Sequence, residues 1–250
     1  MDNIINIGKT AGLLSSIGYR KAKNNIFKIL VMVFSFLTIS MVFLIIGTLL
    51  VKGYKQINLA FFTQVAPDTF TAMMATANGE VIPGGIVNGI LGSIYLVLIA
   101  SAIAIPMGIV IGVYLSENSK KKYACVIRDI ADIMQGVPSI VIGIIAYIWV
   151  VVPLTKGYSV LAGGVALAIM MLPLIVRSTE ESLKMVPDTL KEAAIALGTP
   201  YYKVIWRVLI PTSFSGLISG ILLAVSRVLG ETAPLMLTTL GNPDINWNIA

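Results

Sequence analysis

The chain reads as an all-α, polytopic membrane helix bundle, and three observations carry that. Hydrophobic residues make up 57% of it and charged residues only 12%, with a mean hydropathy of +0.91. A soluble domain carries about twice that share of charge. The apolar residues are gathered into runs long enough for helices to cross about 30 Å of hydrocarbon at about 1.5 Å per residue. Finally, Lys and Arg outside those runs alternate between heavy and light segments.

The elements follow in chain order. Residues 1–28 form a basic tail with Lys9, Arg20, Lys21, Lys23 and Lys28 against Asp2. Gly8-Lys9-Thr10 has the ending of a phosphate loop, but the loop's first glycine would have to be Asn3 and no strand precedes it, so the tail reads as solvated. It is no cleavable leader either, because the apolar run behind it is too long and lacks a small-residue cleavage site. Span 1 covers about 29–51. Lys52 to Gly85 is polar and aromatic, with turn signals at Pro67-Asp68, Asn78-Gly79 and Pro83-Gly84-Gly85. Span 2, about 86–115, is longer than needed and is expected to tilt or kink at Pro106; Gly108 and Gly112, four apart, read as a close helix contact.

Span 3, about 130–152, opens on Asp132, Gln135, Gly136, Pro138 and Ser139, which suit an interfacial helix start and a substrate path equally. Span 4 covers 159–176 and span 5 covers 212–230, the latter with Gly216 and Gly220 four apart. One cysteine, Cys125, excludes an internal disulfide, and the absence of histidine excludes a His-based metal or catalytic centre. From the N-terminal tail onward, the segments between spans carry 5, 2, 4, 1, 5 and 0 Lys plus Arg. The positive-inside rule therefore puts the N-terminus, the short basic loop expected at 116–129 and residues 177–211 in the cytoplasm, and the segment 52–85 and the C-terminal end outside.

Residues 177–211 are the one long polar stretch in the second half. Ser178-Thr179-Glu180-Glu181 has capping-box spacing. Asp188 as N-cap, Gly198 as C′ residue and Pro200 as stop predict a helix of about two to three turns. Leu190, Ala193, Ala194 and Leu197 share a small apolar face, while Lys191 and Glu192 point elsewhere. A second helix is expected from Thr199-Pro200 until Pro211 interrupts it. Glu192-Ala193-Ala194, Gly198 and Val208-Leu209-Ile210-Pro211 resemble the Glu-Ala-Ala (EAA) loop of ABC-importer permeases, over 20 residues at fixed spacing. Helix propensity of the Ala pair is the plain alternative, but the spacing extends beyond the helix. The resemblance implies a MetI-like permease domain over 29–250. It also implies that Glu192, Ala193, Ala194, Gly198 and Pro211 belong to the surface that meets a separate ATPase.

Arg227 lies inside span 5, where an arginine at the centre costs about 2.5–3.5 kcal/mol. Glu231 is four residues on and shares its face if the helix continues. Arg227 reads either as a snorkelling side chain or as a cation lining an anion path with Glu231 tuning it; Arg177, ending span 4, is a third candidate for that substrate path, though snorkelling explains it better. The two arginines fall at different depths. Pro83-Gly84-Gly85-Ile86, Gly136-Val137-Pro138-Ser139, Leu172 to Glu181 and Arg227 to Leu235 resemble the PstA-type permeases of phosphate importers. That resemblance implies a PstC-like second permease, two PstB-like ATPase subunits that bind ATP and Mg, and a PstS-like external phosphate-binding protein. The chain itself then needs no cofactor, sits in lipid of the cell's inner membrane and meets no nucleic acid. The family has a sixth span after the external segment, whereas five are read here. Permeases for sulfate or molybdate remain an alternative, as does a secondary transporter or channel, though no internal repeat supports the last.

Overall fold

The computed structural model describes residues 2–239, with side chains from residue 19 onward. The C-terminal end from 240, including Asn242, lies outside the described residues. Every regular element is helical among the described residues. The chain divides into two compact units, one comprising residues up to 59 with 79–81, the other 60–78 with 82 onward.

The first unit is α1, Asp2–Gly53, closed by a 3₁₀ turn at Tyr54–Gln56. Span 1 and the tail before it are therefore one continuous helix, so the basic residues of the tail occupy helical positions. Nothing in 2–28 breaks a helix: the segment holds no proline, and Gly8, Gly12 and Gly18 are isolated.

The second unit begins one residue into a short helix, α2 Leu59–Thr63, and continues with α3 Thr69–Asn78 and α4 Val87–Glu117. The Pro83-Gly84-Gly85 turn folds back on α2, with the amides of Gly85 and Ile86 donating to the carbonyls of Val65 and Phe61 at 3.0 Å each. Gly84 has φ +104, and a Cβ at Gly85 would lie 2.2 Å from the Phe61 carbonyl oxygen, so both glycines are required. Helix α4 runs unbroken through Pro106.

Span 3 departs from its expected form. Two helices, α5 Lys122–Gly136 and α6 Ser139–Ala146, meet at 106°, and α6 continues as a π-helix over Tyr147–Thr155. Val137 and Pro138 are extended (ψ 130 and 134), which is how Pro138 restricts its predecessor. Helix α7, Val160–Lys184, opens with Ser159 as N-cap, its Oγ accepting from the Ala162 amide at 3.1 Å. It passes eight residues beyond the predicted end of span 4, so Ser178 to Glu181 lie mid-helix and form no capping box. Polar residues there read as a loop from sequence, but Glu180 is buried and paired with three cations, and the Ser178 hydroxyl donates to the Ile175 carbonyl.

Helix α8, Asp188–Ala196, has the expected length, with Pro187 as N-cap and Asp188 in the first turn, one residue from its predicted role. Tyr201–Val204 (α9) passes through a π turn, Ile205–Leu209, to Ile210–Thr212 (α10). Pro211 shifts the hydrogen-bond register rather than ending the helix: it lacks the amide for the Arg207 carbonyl, and Ile210 N–H reaches back to the Ile205 carbonyl. The break comes at Ser213, where this helix meets α11, Phe214–Leu229, at 71°. A last helix, α12 Ala233–Thr238, packs its Pro234 against Gly143 of α6. Among the described residues, three helices are long and apolar enough to cross a membrane, or up to five if each bent pair is one span.

The core sits around α7. Leu167, Met171 and Ile175 are enclosed by Leu96, Ala100 and Ala104 of α4, Ile142 of α6, and Ala224 and Val228 of α11. Glycines set the distances: a Cβ at Gly108 would lie 2.6 Å from Ile175, and one at Gly112 2.5 Å from Thr179. The expected close helix contact at this pair is present, as is one at Gly216 and Gly220, which face Ser182 and Ser178 of α7.

Candidate functional site

Two groups of chemistry-bearing residues meet at the C-terminal end of α7. The first centres on Glu180, whose side chain is 0% exposed. Arg128 of α5 grips it with Nη2 at 2.5 Å and Nε at 3.0 Å from Oε1. Arg177 donates from Nη1 to Oε2 at 2.8 Å, and Lys184 from Nζ to Oε1 at 2.5 Å. The Arg177 Nε also lies 3.0 Å from Asp132 of α5. A buried carboxylate is tolerated only when its oxygens are filled with donors, and three cations fill these. The arrangement fastens α5 to α7 at two points one helical turn apart on each helix.

The second group is α8. Lys191 pairs with Glu117 at the end of α4 and lies 5.1 Å over the Tyr201 ring. Ala194 turns inward against Leu183, Val204 and Leu209. Leu190, Ala193 and Leu197 stay exposed, Leu197 at 86%. The predicted apolar face thus divides, with Ala194 as its anchor and the other three pointing away from the bundle. Glu192 is exposed. Gly198 has φ +74, the left-handed conformation expected of a C′ residue.

Arg227 and Glu231 lie elsewhere. Helix α11 runs antiparallel to α7, with Gly216 against Ser182 and Gly220 against Ser178. That register places Arg227 beside residue 171 and separates it from Arg177 by roughly 9 Å along the helix. Arg227 is exposed and forms no ion pair among the described residues. The helix ends at Leu229 with Gly230 as C-cap, so the expected i, i+4 alignment with Glu231 does not form. Of the residues singled out from sequence, the structure brings Arg177 into the Glu180 network and holds the α8 residues together; Arg227 and Glu231 remain apart from both.

Arg128, Glu180 and Lys184 escaped the sequence reading. A signal existed, since Arg177, Glu180 and Lys184 are spaced i, i+3, i+7 on one helical stripe, and Arg128 and Asp132 are i, i+4.

Residues 104–249 match the family described as binding-protein-dependent transport system inner membrane component. The phosphate transport system permease protein PstA of Yersinia pestis is 40% identical over 225 residues, which cover 90% of this chain and 72% of that protein. The protein of the same name from Haemophilus influenzae is 37% identical over 206 residues, covering 82% and 69%. Among solved structures, an inward-facing MetNI methionine ABC transporter has a TM-score of 0.53 at 20% identity, covering 63% of this chain and 74% of that one. A second crystal form gives 0.50 at 18%. The fold is therefore a MetI-like, all-α bundle. The chain belongs to the binding-protein-dependent transport system inner membrane components, the multi-pass permease subunits of ABC importers.

Proposed function

We propose that this chain is the PstA-type permease of an ATP-driven inorganic phosphate importer. It would form half of the translocation path beside a PstC-like permease. Two PstB-like ATPases would hold ATP and Mg, and a PstS-like external protein would deliver phosphate. The observation that carries this is the outward face of α8. A short helix, tethered by Lys191 and Ala194 yet exposing Leu190, Ala193 and Leu197, suits a groove on a separate subunit. The Lys and Arg distribution supports a cytoplasmic α8 and a cytoplasmic N-terminus. The phosphate-importer relatives support the substrate.

Alternating access then proceeds by ATP-driven movement of α8 against the bundle. Gly198→Val tests that role. Its Cβ would enter open space, so the change acts through backbone strain alone, about 1–2 kcal/mol. Gly198→Asn, which tolerates that conformation, should restore function. Reconstituted ATPase activity that stays fully coupled to transport in the Val variant would argue against docking through this helix end.

For the substrate, Arg227 is assigned to the anion path, with Glu231 tuning it. Arg177 is assigned to holding α5 on α7, because a path role would require breaking its ion pairs to Asp132 and Glu180. Arg227→Gln in the full-length importer should abolish labelled-phosphate uptake in cells lacking other phosphate importers, while leaving the complex assembled. Arg227→Lys keeps charge but loses the planar fork of donors, so it should also be impaired. Normal uptake by the Gln variant would return Arg227 to a snorkelling role.

A further inference from the structure

We propose that α5 is not the entry of a span but a helix lying in the membrane surface on the α8 side, with one face in lipid beneath anionic headgroups. This rests on the chain's being a membrane bundle and not on its substrate.

Three sectors around α5 carry the inference. Ala124 and Ala131 are buried against the bundle. Tyr123, Val126, Ile130 and Ile133 fall at i, i+3, i+7 and i+10, and all are exposed, Tyr123 at 77% and Ile133 at 68%. Cys125, Asp129 and Asp132 form a separate exposed polar sector. A helix embedded along a span would not present carboxylates over successive turns; one at an interface turns one sector to water and another to acyl chains.

The bend supplies the second observation. The segment Ser139–Thr155 is 17 residues of nearly unbroken apolar character, at the lower limit of about 17 for a crossing helix. If it stands along the membrane normal, the 106° angle lays α5 close to the membrane plane. Arg128–Glu180 and Asp132–Arg177 pin α5 in that direction to the end of α7. The third observation is charge. Lys120, Lys121 and Lys122 lead into α5, are exposed, and form no ion pair among the described residues. Cations beside an apolar face match anionic phospholipid better than a protein partner's apolar groove.

The native cysteine makes the test direct, since Cys125 is the only one. Spin labels are placed at Cys125 and, in a Cys125→Ala background, at Asp129→Cys, Val126→Cys, Ile130→Cys and Ile133→Cys, in the full-length protein assembled with its partner subunits in vesicles. Positions 125 and 129 should collide with a water-soluble nickel chelate. Positions 126, 130 and 133 should collide with oxygen, be shielded from nickel, and share one depth. A depth that increases steadily from 126 to 133 would make α5 part of a span. Shielding of these three from both reagents would mean a protein covers them. Either result overturns the proposal. In phosphatidylglycerol vesicles the label at 130 should sit deeper than in phosphatidylcholine, and the difference should vanish in a Lys120→Gln, Lys121→Gln, Lys122→Gln variant. Equal depth in both lipids would overturn the headgroup contribution.

Discussion

Helix α7 meets its neighbours in two different ways. Toward α4 and α11 the contact is a seam of small residues, where added Cβ atoms at Gly112 and Gly220 would fall 2.5 Å and 2.1 Å from α7 side chains. Toward α5 a small apolar patch of Ala124 and Ile127 on Val176 and Leu172 is joined by a pair of charge contacts around Glu180 and Arg177. In lipid no hydrophobic force drives helices together, so a seam gains its energy from close contact and tolerates almost no added volume. The charge clamp works through long side chains, whose tips stay fixed while their stems retain freedom. Its hub is buried and its outer members are partly exposed, so the consequence of a deletion depends on which member is removed.

That asymmetry gives the largest expected effect. Glu180→Gln leaves Arg128, Arg177 and Lys184 facing a neutral amide, and removing one side of a buried ionic group costs about 3–5 kcal/mol. Arg128→Met leaves Glu180 with two cations, and the loss should be smaller. Unfolding of the purified protein in mixed detergent, followed by helix content, gives both values. A Glu180 variant no less stable than the Arg128 variant would mean that the carboxylate is not the hub.

The seam predicts a smaller but sharper contrast on a single helix. Gly112→Ala would drive a methyl against Thr179 and close to the Val176 carbonyl, and overpacking of this kind costs about 1–3 kcal/mol. Gly92→Ala on the same α4 meets nothing within 4 Å, and should gain up to about 1 kcal/mol from helix propensity. Equal behaviour of the two in the same unfolding assay would show that the α4–α7 distance can relax.

Much of this was readable from sequence where the cause is local. Hydropathy located α1, α4 and α7, and the Gly198 end of α8 follows from one residue's permitted backbone angles. The glycine pairs announced the seam, since spacing alone puts them on one helix face. What escaped the reading depends on partners far away. Glu180 reads as the start of a polar loop because its main partner, Arg128, lies 52 residues earlier. The length of α7 is hidden for the same reason, as Arg177, Glu180 and Lys184 look solvated in sequence but pair with one another and with α5. Ala194 and Ala193 are indistinguishable in sequence, and only the tertiary position of Leu183, Val204 and Leu209 turns one inward. The bend at Val137 was signalled by Pro138, but the polar residues before it, Asp132, Gln135 and Gly136, suit the interfacial start of a straight span equally well, so the change of direction does not show in the sequence.

The smallest effect concerns the tether of α8, which has features of both contact types. Lys191 and Glu117 are 26% and 14% exposed, between the buried hub of the clamp and an open surface pair. Water screens part of their attraction, so a double-mutant cycle of Lys191→Met and Glu117→Gln should give a coupling of about 0.5–1 kcal/mol. Lys191 also sits over Tyr201, and a cation–π contact contributes a similar amount, about 0.5–1 kcal/mol. Tyr201→Leu therefore forms a second cycle with Lys191→Met and separates the two contributions. If the Glu117 and Tyr201 couplings are both zero, α8 is held by Ala194 and the apolar residues under it, and belongs with the seam. If it exceeds about 2 kcal/mol, the tether is a second clamp comparable to the one at Glu180. The intermediate value is expected because a helix that must move with an ATPase needs an attachment that keeps its register without fixing it as firmly as α5.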